Sequence, residues 1–446
     1  MHKYLSRVST SSWLLIVMAV ALVERAMLYL LYRPVLYNDT ASYRRLAGQL
    51  LEGWNYYDGT RMPGYPLFLA WIGPDEHVYL VQLGLGVIIT LLFFYIGWQV
   101  SGQGWFAALA ACAYTLNLQQ LLFEADLLAE TVTVTLIAIY LAAAVRLFYE
   151  RRNDHPWQVV LVGLLAGIAG GMAALTRTLY VFLPPLLGLF LFFFLHAKSR
   201  LRVVLALTVG LAGMALLALW VNFVHRQYGL WGFDTIGGYH LVNHAGPFFE
   251  FVPDEYSDIR DTMIKYRDAQ VAETGHSSNA IWDAIPDLTE ISGLGFVDLS
   301  RLMGKISLQL ILEHPGLYLR NVGESWLAYW KVPIHWAVPP DAGPGFIRRA
   351  ITLTLRAGLF LVNLSFVGGS LAMCWKKARS LFRMESFFWL VLTIPWITSI
   401  TQAMLEYGDN PRYSVPTQTL VILIVAWWLW AVIRHLLEKK HETFRS

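Results

Sequence analysis

The side chains with chemical capacity cluster where apolar runs end. Asp39 lies in Tyr37-Asn38-Asp39-Thr40-Ala41-Ser42-Tyr43, directly after the first long apolar stretch, and Arg61-Met62-Pro63-Gly64-Tyr65-Pro66 follows. A carboxylate and a guanidinium thus sit at the rim of an apolar slab, where a lipid-carried substrate would meet water. Glu124 and Asp126 fall at the outer ends of the third and fourth apolar runs. Glu130 lies a turn or so deeper, where an ionisable group is costlier and more often functional. Arg177 interrupts two apolar runs and offers planar, always-charged donors that suit a phosphate. Arg412 and Tyr413 precede the last run.

Each of these residues also has a plain structural reading. Asp39 is a preferred helix N-cap type. Glu124 and Asp126 make an ordinary polar turn between spans, and Glu130 bonds a neighbouring helix. Arg177 snorkels at a tight turn, and Arg61 and Arg412 are solvated loop residues. Glu24 and Arg25 are adjacent, so they point in different directions and do not simply pair, and either can line a cavity. His240 and His244 in Gly-Gly-Tyr-His-Leu-Val-Asn-His have the spacing of one helix face, but the glycines argue against a helix, and a surface histidine pair is expected. No HExxH or cysteine cluster marks a metal centre, and dependence on a divalent metal is open.

Composition dictates the scaffold that must hold these groups. Of 446 residues, 56% are hydrophobic and 15% charged, with a mean hydropathy of +0.48, far from a soluble globular average. Runs long enough to cross roughly 30 Å of hydrocarbon at about 1.5 Å per helical residue recur along the chain. Ten are expected, near 12–32, 78–99, 105–122, 127–148, 157–175, 178–195, 203–225, 347–373, 385–404 and 414–433. An all-α polytopic membrane protein follows. Its units are a membrane module over 1–225 with a first outer loop at 33–77, an outer segment at 226–346, and C-terminal membrane helices with a tail at 347–446.

Lys and Arg in the short connections set the orientation, because cytoplasmic loops retain positive charge. His2-Lys3 with Arg7, Arg151-Arg152, Lys198 with Arg200 and Arg202, Lys376-Lys377 with Arg379 and Arg383, and Arg434 with Lys439-Lys440 fall on one side when ten spans are threaded. Both termini are then cytoplasmic. The first run carries Glu24-Arg25 and lacks a small-residue cleavage site, so it reads as a retained span. Net charge is +3, and no basic, aromatic-interleaved stripe points to nucleic acid. Cys112 and Cys374 lie within or beside predicted spans and form no disulfide framework.

The two long outer segments are where function is expected. In the first, Tyr43, Leu46, Ala47, Leu50 and Leu51 recur at helical spacing, predicting an amphipathic interfacial helix that starts after Asp39 and ends at Gly53. A short aromatic helix then ends near Trp71. In the second, 255–273 is charged, 297–313 alternates apolar and polar residues, Pro315 interrupts, and 316–330 carries Trp326, Tyr329 and Trp330. That segment is expected to cap a cavity.

Several of these features together resemble the GT-C class of membrane glycosyltransferases, and within it bacterial relatives of the protein O-mannosyltransferases and the lipid A aminoarabinose transferases. The residues that carry the resemblance are Asp39 with Tyr43, Arg61-x-Pro-Gly-Tyr-Pro-Leu-Phe-Leu, Glu124 with Glu130, Gly167 through Ala174-Leu175-Thr176-Arg177, and Pro411-Arg412-Tyr413 with Pro416. Nothing in 226–346 adds to it. The resemblance implies transfer of a sugar from a polyprenyl-phosphate or polyprenyl-diphosphate carrier to a glycan, lipid or protein acceptor, inverting, on the outer face of a bacterial or archaeal inner membrane. Asp39 and Glu124 would then be catalytic, Asp39 as base. Tyr43, Arg61, Tyr65, Glu130, Arg177, Arg412 and Tyr413 would hold substrate or carrier. A transporter or flippase of a lipid-linked sugar is the competing class; no pair of broken helices in matched halves speaks for it.

Overall fold

In the computed structural model the described residues are 8–149, 155–334, 336–337, 345–382, 384–408 and 410–443. Of the positive charges used to orient the chain, His2, Lys3, Arg7, Arg151, Arg152 and Arg383 lie outside them, as do the side chains of Lys377, Lys439 and Lys440. Among the described residues there is no strand, only an isolated bridge between Val35 and Asp126.

The first long apolar run is α1, Thr10–Leu31, whose N-cap Ser9 accepts the Ser12 N–H at 3.0 Å. The first outer loop contains α2, Asn38–Glu52, and α3, Gly64–Ile72. The second run is α4, Asp75–Ser101. The third expected span is two helices, α5, Gly104–Thr115, and α6, Leu118–Ala125, bent by 52°. Asn117 causes the restart, since its side chain accepts the Gln119 N–H and caps α6. The runs α7, Glu130–Tyr149, and α8, Pro156–Thr176, follow. The sixth expected span is a shorter apolar stretch, Thr178–Phe194, in which a 3-10 turn leads into α9, Leu183–Phe194. The 30-residue α10, Ser199–Tyr228, completes the first half.

Among the described residues, 226–346 holds five α-helices: α11, Gly237–Ala245; α12, Ser257–Thr274; α13, Ala280–Ser292; α14, Phe296–Glu313; and α15, Pro315–Tyr329. Pro315 begins α15 because the first helical position needs no N–H partner. After it come α16, Gly345–Ala372, the short α17, Lys376–Phe382, α18, Ser386–Leu405, and α19, Val415–Thr443. Among the described residues eight helices are thus long and apolar enough to cross a membrane, and a ninth is added if α5 and α6 count as one bent span.

The two largest hydrophobic cores among the described residues are separate. One runs through the long helices and includes Phe93, Tyr140, Leu187, Phe366, Ile394 and Ile424. The other, with Tyr239, Phe249, Ile281, Leu299 and Met303, belongs to the outer segment alone. Within it Gly238 lets α11 lie directly on α14, since a Cβ there would fall 1.7 Å from the Ser300 carbonyl oxygen. This explains why glycines start a helix here that their propensity disfavours: the close approach of backbones decides.

The α2 helix packs against protein on two faces. Tyr43 and Ala47 join a cluster with Tyr65, Leu69 and Phe123, and Leu46 joins another with Met62, Leu175 and Trp220. Only Leu51, 74% exposed, behaves as an interfacial residue.

Candidate active site

Local hydrogen bonding sets the position of Asp39. The stretch before α2 is tied to the end of α6 and the turn after it by Val35 N–H to Ala125 O at 2.9 Å and Leu127 N–H to Val35 O at 3.0 Å. Thr40 Oγ1 accepts the Tyr37 N–H at 2.9 Å and its hydroxyl donates to Leu127 O at 3.1 Å. Tyr37, not Asp39, is therefore the residue flanking the helix, and Asp39 is in the first turn. Its carboxylate is left to side-chain partners while still meeting the positive end of the helix.

Those partners are arginines from distant parts of the chain. Arg61 Nη2 donates to Asp39 Oδ1 at 2.6 Å, and Arg412 Nη1 donates to Oδ2 at 2.6 Å. Arg412 Nε also donates to Glu130 Oε1, and Arg177 Nη2 donates to the same oxygen. Glu130 is fully buried as the first residue of α7, and its Oε2 has no hydrogen-bond partner. Burial alone would raise the Asp39 carboxyl, but Arg61 and Arg412 outweigh it and hold it at about 2. The carboxylate expected across from the guanidinium groups is instead paired directly with two of them.

Aromatic rings fix the arginines. The Arg61 guanidinium lies 4.9 Å from the Tyr43 ring centroid, and Arg177 lies 5.1 Å from that of Tyr413. Tyr43 in turn meets Tyr65 edge to face at 4.9 Å, and the Tyr65 hydroxyl donates to Gln82 Oε1 at 3.0 Å. Tyr65 is fully buried and supports the site from behind. Gly64 brings α3 against the end of α8, one residue before Arg177: a Cβ there would fall 2.7 Å from both Leu175 O and Thr176 Oγ1.

The cluster opens on a cavity of about 1120 Å³. Asp39, Tyr43, Arg61, Arg177, Arg412 and Tyr413 line one part of it, and Asp234, His240, Trp282, Asp283, Gln402 and Glu406 another. The segment 226–346 therefore walls the same hollow as the long apolar helices. Of the expected site residues, Glu124, Glu130 and Tyr65 do not line it.

Glu124 belongs to a different cluster inside the membrane module. It is fully buried and accepts Arg25 Nε at 3.0 Å, Arg25 Nη2 at 2.6 Å and the Tyr114 hydroxyl at 2.8 Å. Arg25 also reaches Glu24 at 3.3 Å, so the adjacent pair does interact, through a side chain whose main partner lies 99 residues away. This is a buried ion pair that binds α1 to α6. The histidine expectation changes as well. His244 is fully buried with neither ring nitrogen partnered, and burial pushes it down to about 4. His240 Nδ1 is 2.9 Å from Glu406 Oε2; burial opposes its charge, but the carboxylate prevails and raises it above the usual imidazole value. Among the described residues no group of three or more His, Cys, Asp or Glu is arranged to hold a metal ion.

Sequence reasoning passed over Asp234, Trp282, Gln402 and Glu406. None sits in a motif, and only the fold of 226–346 brings them to the cavity. Glu406 carried one local signal, an acidic residue directly after the ninth run.

No family model and no curated protein matches the chain. Two solved structures of ArnT from Cupriavidus metallidurans are similar to it, one bound to undecaprenyl phosphate and one in the apo state. The first covers 94% of this chain and 78% of its own at 13% identity, the second 94% and 77% at 14%, both with a TM-score of 0.37. ArnT is a lipid A aminoarabinose transferase of the GT-C class, the class that the sequence resembles. At this score the likeness leaves function to be argued from the site's own residues.

Proposed function

We propose that this chain transfers a sugar from a polyprenyl-phosphate-linked donor to an acceptor on the outer face of the membrane, with inversion and with Asp39 as general base. The observation that supports it best is a charge balance. Three guanidinium groups, Arg61, Arg177 and Arg412, meet two carboxylates, Asp39 and Glu130, beside a cavity at the end of apolar helices. The surplus cation favours an anion, and the surrounding helices favour one carried on a lipid.

A carrier phosphate is already a good leaving group, so what the reaction needs from the protein is positive charge where the phosphate charge develops. Arg177 and Arg412, 9% and 15% exposed, lie deeper than Arg61 and Asp39, at 30% and 29%. In the proposed seat the phosphate sits with the deeper arginines and the acceptor hydroxyl approaches on the shallower side. The acceptor oxygen bonds to the anomeric carbon as the bond from that carbon to the phosphate oxygen breaks. The electron pair leaves with the phosphate, and the acceptor proton goes to Asp39.

A carboxylate held at about 2 is a weak base. A phosphate that engages Arg412 withdraws one of the cations responsible, so Asp39 becomes more basic only when the donor is seated. Donor binding and proton abstraction are thereby coupled, which disfavours attack by stray water. Glu124 has no part in this reading, because Arg25 and Tyr114 occupy its oxygens away from the cavity.

The test is Asp39→Asn in the purified chain, assayed for sugar release from carrier-linked donor and separately for carrier binding. Transfer is expected to fall about 10²- to 10⁴-fold, the range of one general base, with carrier binding retained. Full transfer activity in this variant would remove the assignment.

A further inference from the structure

The cavity has a second wall that the phosphate chemistry does not use. Gln402, in the last turn of α18, borders it and is only 1% exposed, yet neither Oε1 nor Nε2 has a partner. A buried amide with both ends unpaired is rare, because it forfeits its hydration for nothing. The same cavity is lined by Trp282, 36% exposed, held edge to face by Tyr239 at 5.7 Å and His240 at 5.9 Å. The charged groups there are Asp234, Asp283 and Glu406, with His240 against Glu406 and the Arg61 guanidinium close enough to act on Asp234 and His240.

We infer that this wall is a carbohydrate subsite in which Gln402 and Trp282 hold a neutral, polyhydroxylated ring. The donor set decides the ligand class. The Gln402 carbonyl needs a donor and its amide group needs an acceptor, and two neighbouring hydroxyls supply both at once. A phosphate only accepts and would leave Oε1 orphaned. An acyl chain satisfies neither end. An indole face covers the C–H face of a sugar ring while the rim hydroxyls remain free to bond. The inference rests on the glycosyl-transfer reading only for which molecule brings the ring, donor sugar or carbohydrate acceptor.

Binding to the full chain in nanodiscs tests it with three probes: bare undecaprenyl phosphate, undecaprenyl-phosphate-linked mannose, and a panel of methyl glycosides. Gln402→Leu and Trp282→Ala are expected to weaken sugar-bearing probes about tenfold, the effect of one or two buried hydrogen bonds or a lost stacking ring. Bare carrier should stay within about twofold, and Trp282→Tyr should keep most of the affinity. A loss confined to the linked mannose places the donor sugar here, and one confined to methyl glycosides places the acceptor. Equal loss for the bare carrier, no loss for any sugar-bearing probe, or no sugar-bearing probe bound by the unaltered chain overturns the subsite. Should bare carrier fail to bind while glycosides still depend on Gln402, the transferase reading falls and the subsite stands.

Discussion

At the scale of the residue, the site is organised around shared guanidinium groups. Arg412 reaches both Asp39 and Glu130, and Arg61 reaches Asp39 while resting on Tyr43. Arg412→Gln is expected to weaken binding of bare undecaprenyl phosphate by about 10- to 100-fold, as loss of a charge-assisted contact does. Unchanged affinity, read by native mass spectrometry, would rule out Arg412 as a phosphate ligand. The Asp39 pairing also carries a pH signature. Its folded value of about 2 lies below the ordinary 3.8, so its stabilisation is fully present above about pH 4 and is lost as pH falls toward 2. At neutral pH the shift corresponds to about 2 kcal/mol. The difference in melting temperature between the unaltered chain and Asp39→Asn should therefore shrink to nothing over pH 4 to 2. A difference constant across that range would show that the arginines do not hold the carboxylate ionised.

At the scale of the element, the site depends on close approaches that bring α2, α3, α8 and the start of α19 together. Gly64→Val would drive a side chain into Leu175 O and Thr176 Oγ1. Overpacking of this kind costs about 1–3 kcal/mol, and carrier binding should fall with it because Arg177 follows Thr176 directly. Normal binding and stability would mean that the α3–α8 contact does not position the arginines. The buried pair of Arg25 and Glu124 makes the opposite prediction about chemistry. Arg25→Met alone strands a buried carboxylate and should destabilise by about 3–5 kcal/mol, whereas Arg25→Met with Glu124→Leu should recover most of the stability and retain transfer activity. An inactive but stable double variant would return Glu124 to the catalytic group.

Much of this was legible in the sequence. The helices around the first loop follow from the spacing of Tyr43, Leu46 and Ala47 and from Gly53, and Asp39, Arg61, Arg177 and Arg412 do meet at one cavity. Periodicity gave the register of α2 but not its surroundings, because an apolar stripe looks the same against lipid as against protein. Asp39 was misplaced as a cap by two residues, since Thr40 Oγ1 accepts the Tyr37 N–H and the helix starts at Asn38. The α11 helix was hidden by its two glycines, whose propensity is overridden by contact with Ser300. Gln402 carries no sequence signal at all, as an amide at a span end is unremarkable until its neighbours are known.

At the scale of the whole molecule, a membrane module and an independently cored outer segment close on one cavity. The carrier would reach it from the lipid and the acceptor from water, which is the division that a lipid-to-acceptor transfer demands. If the charge pattern orients the chain as expected, single cysteines placed in 226–346 on a Cys112→Ser, Cys374→Ser background should react with an impermeant reagent from outside the cell. Reaction only from the cytoplasmic side would invert the topology. The central claim is that Arg61, Arg177 and Arg412 form the seat of a lipid-borne phosphate, with Asp39 beside it. A density map of the chain with undecaprenyl phosphate bound tests this most directly. Phosphate density within hydrogen-bonding distance of Arg177 and Arg412, with the Asp39–Arg412 pair parted, is the result expected; a headgroup seated away from all three arginines would contradict it.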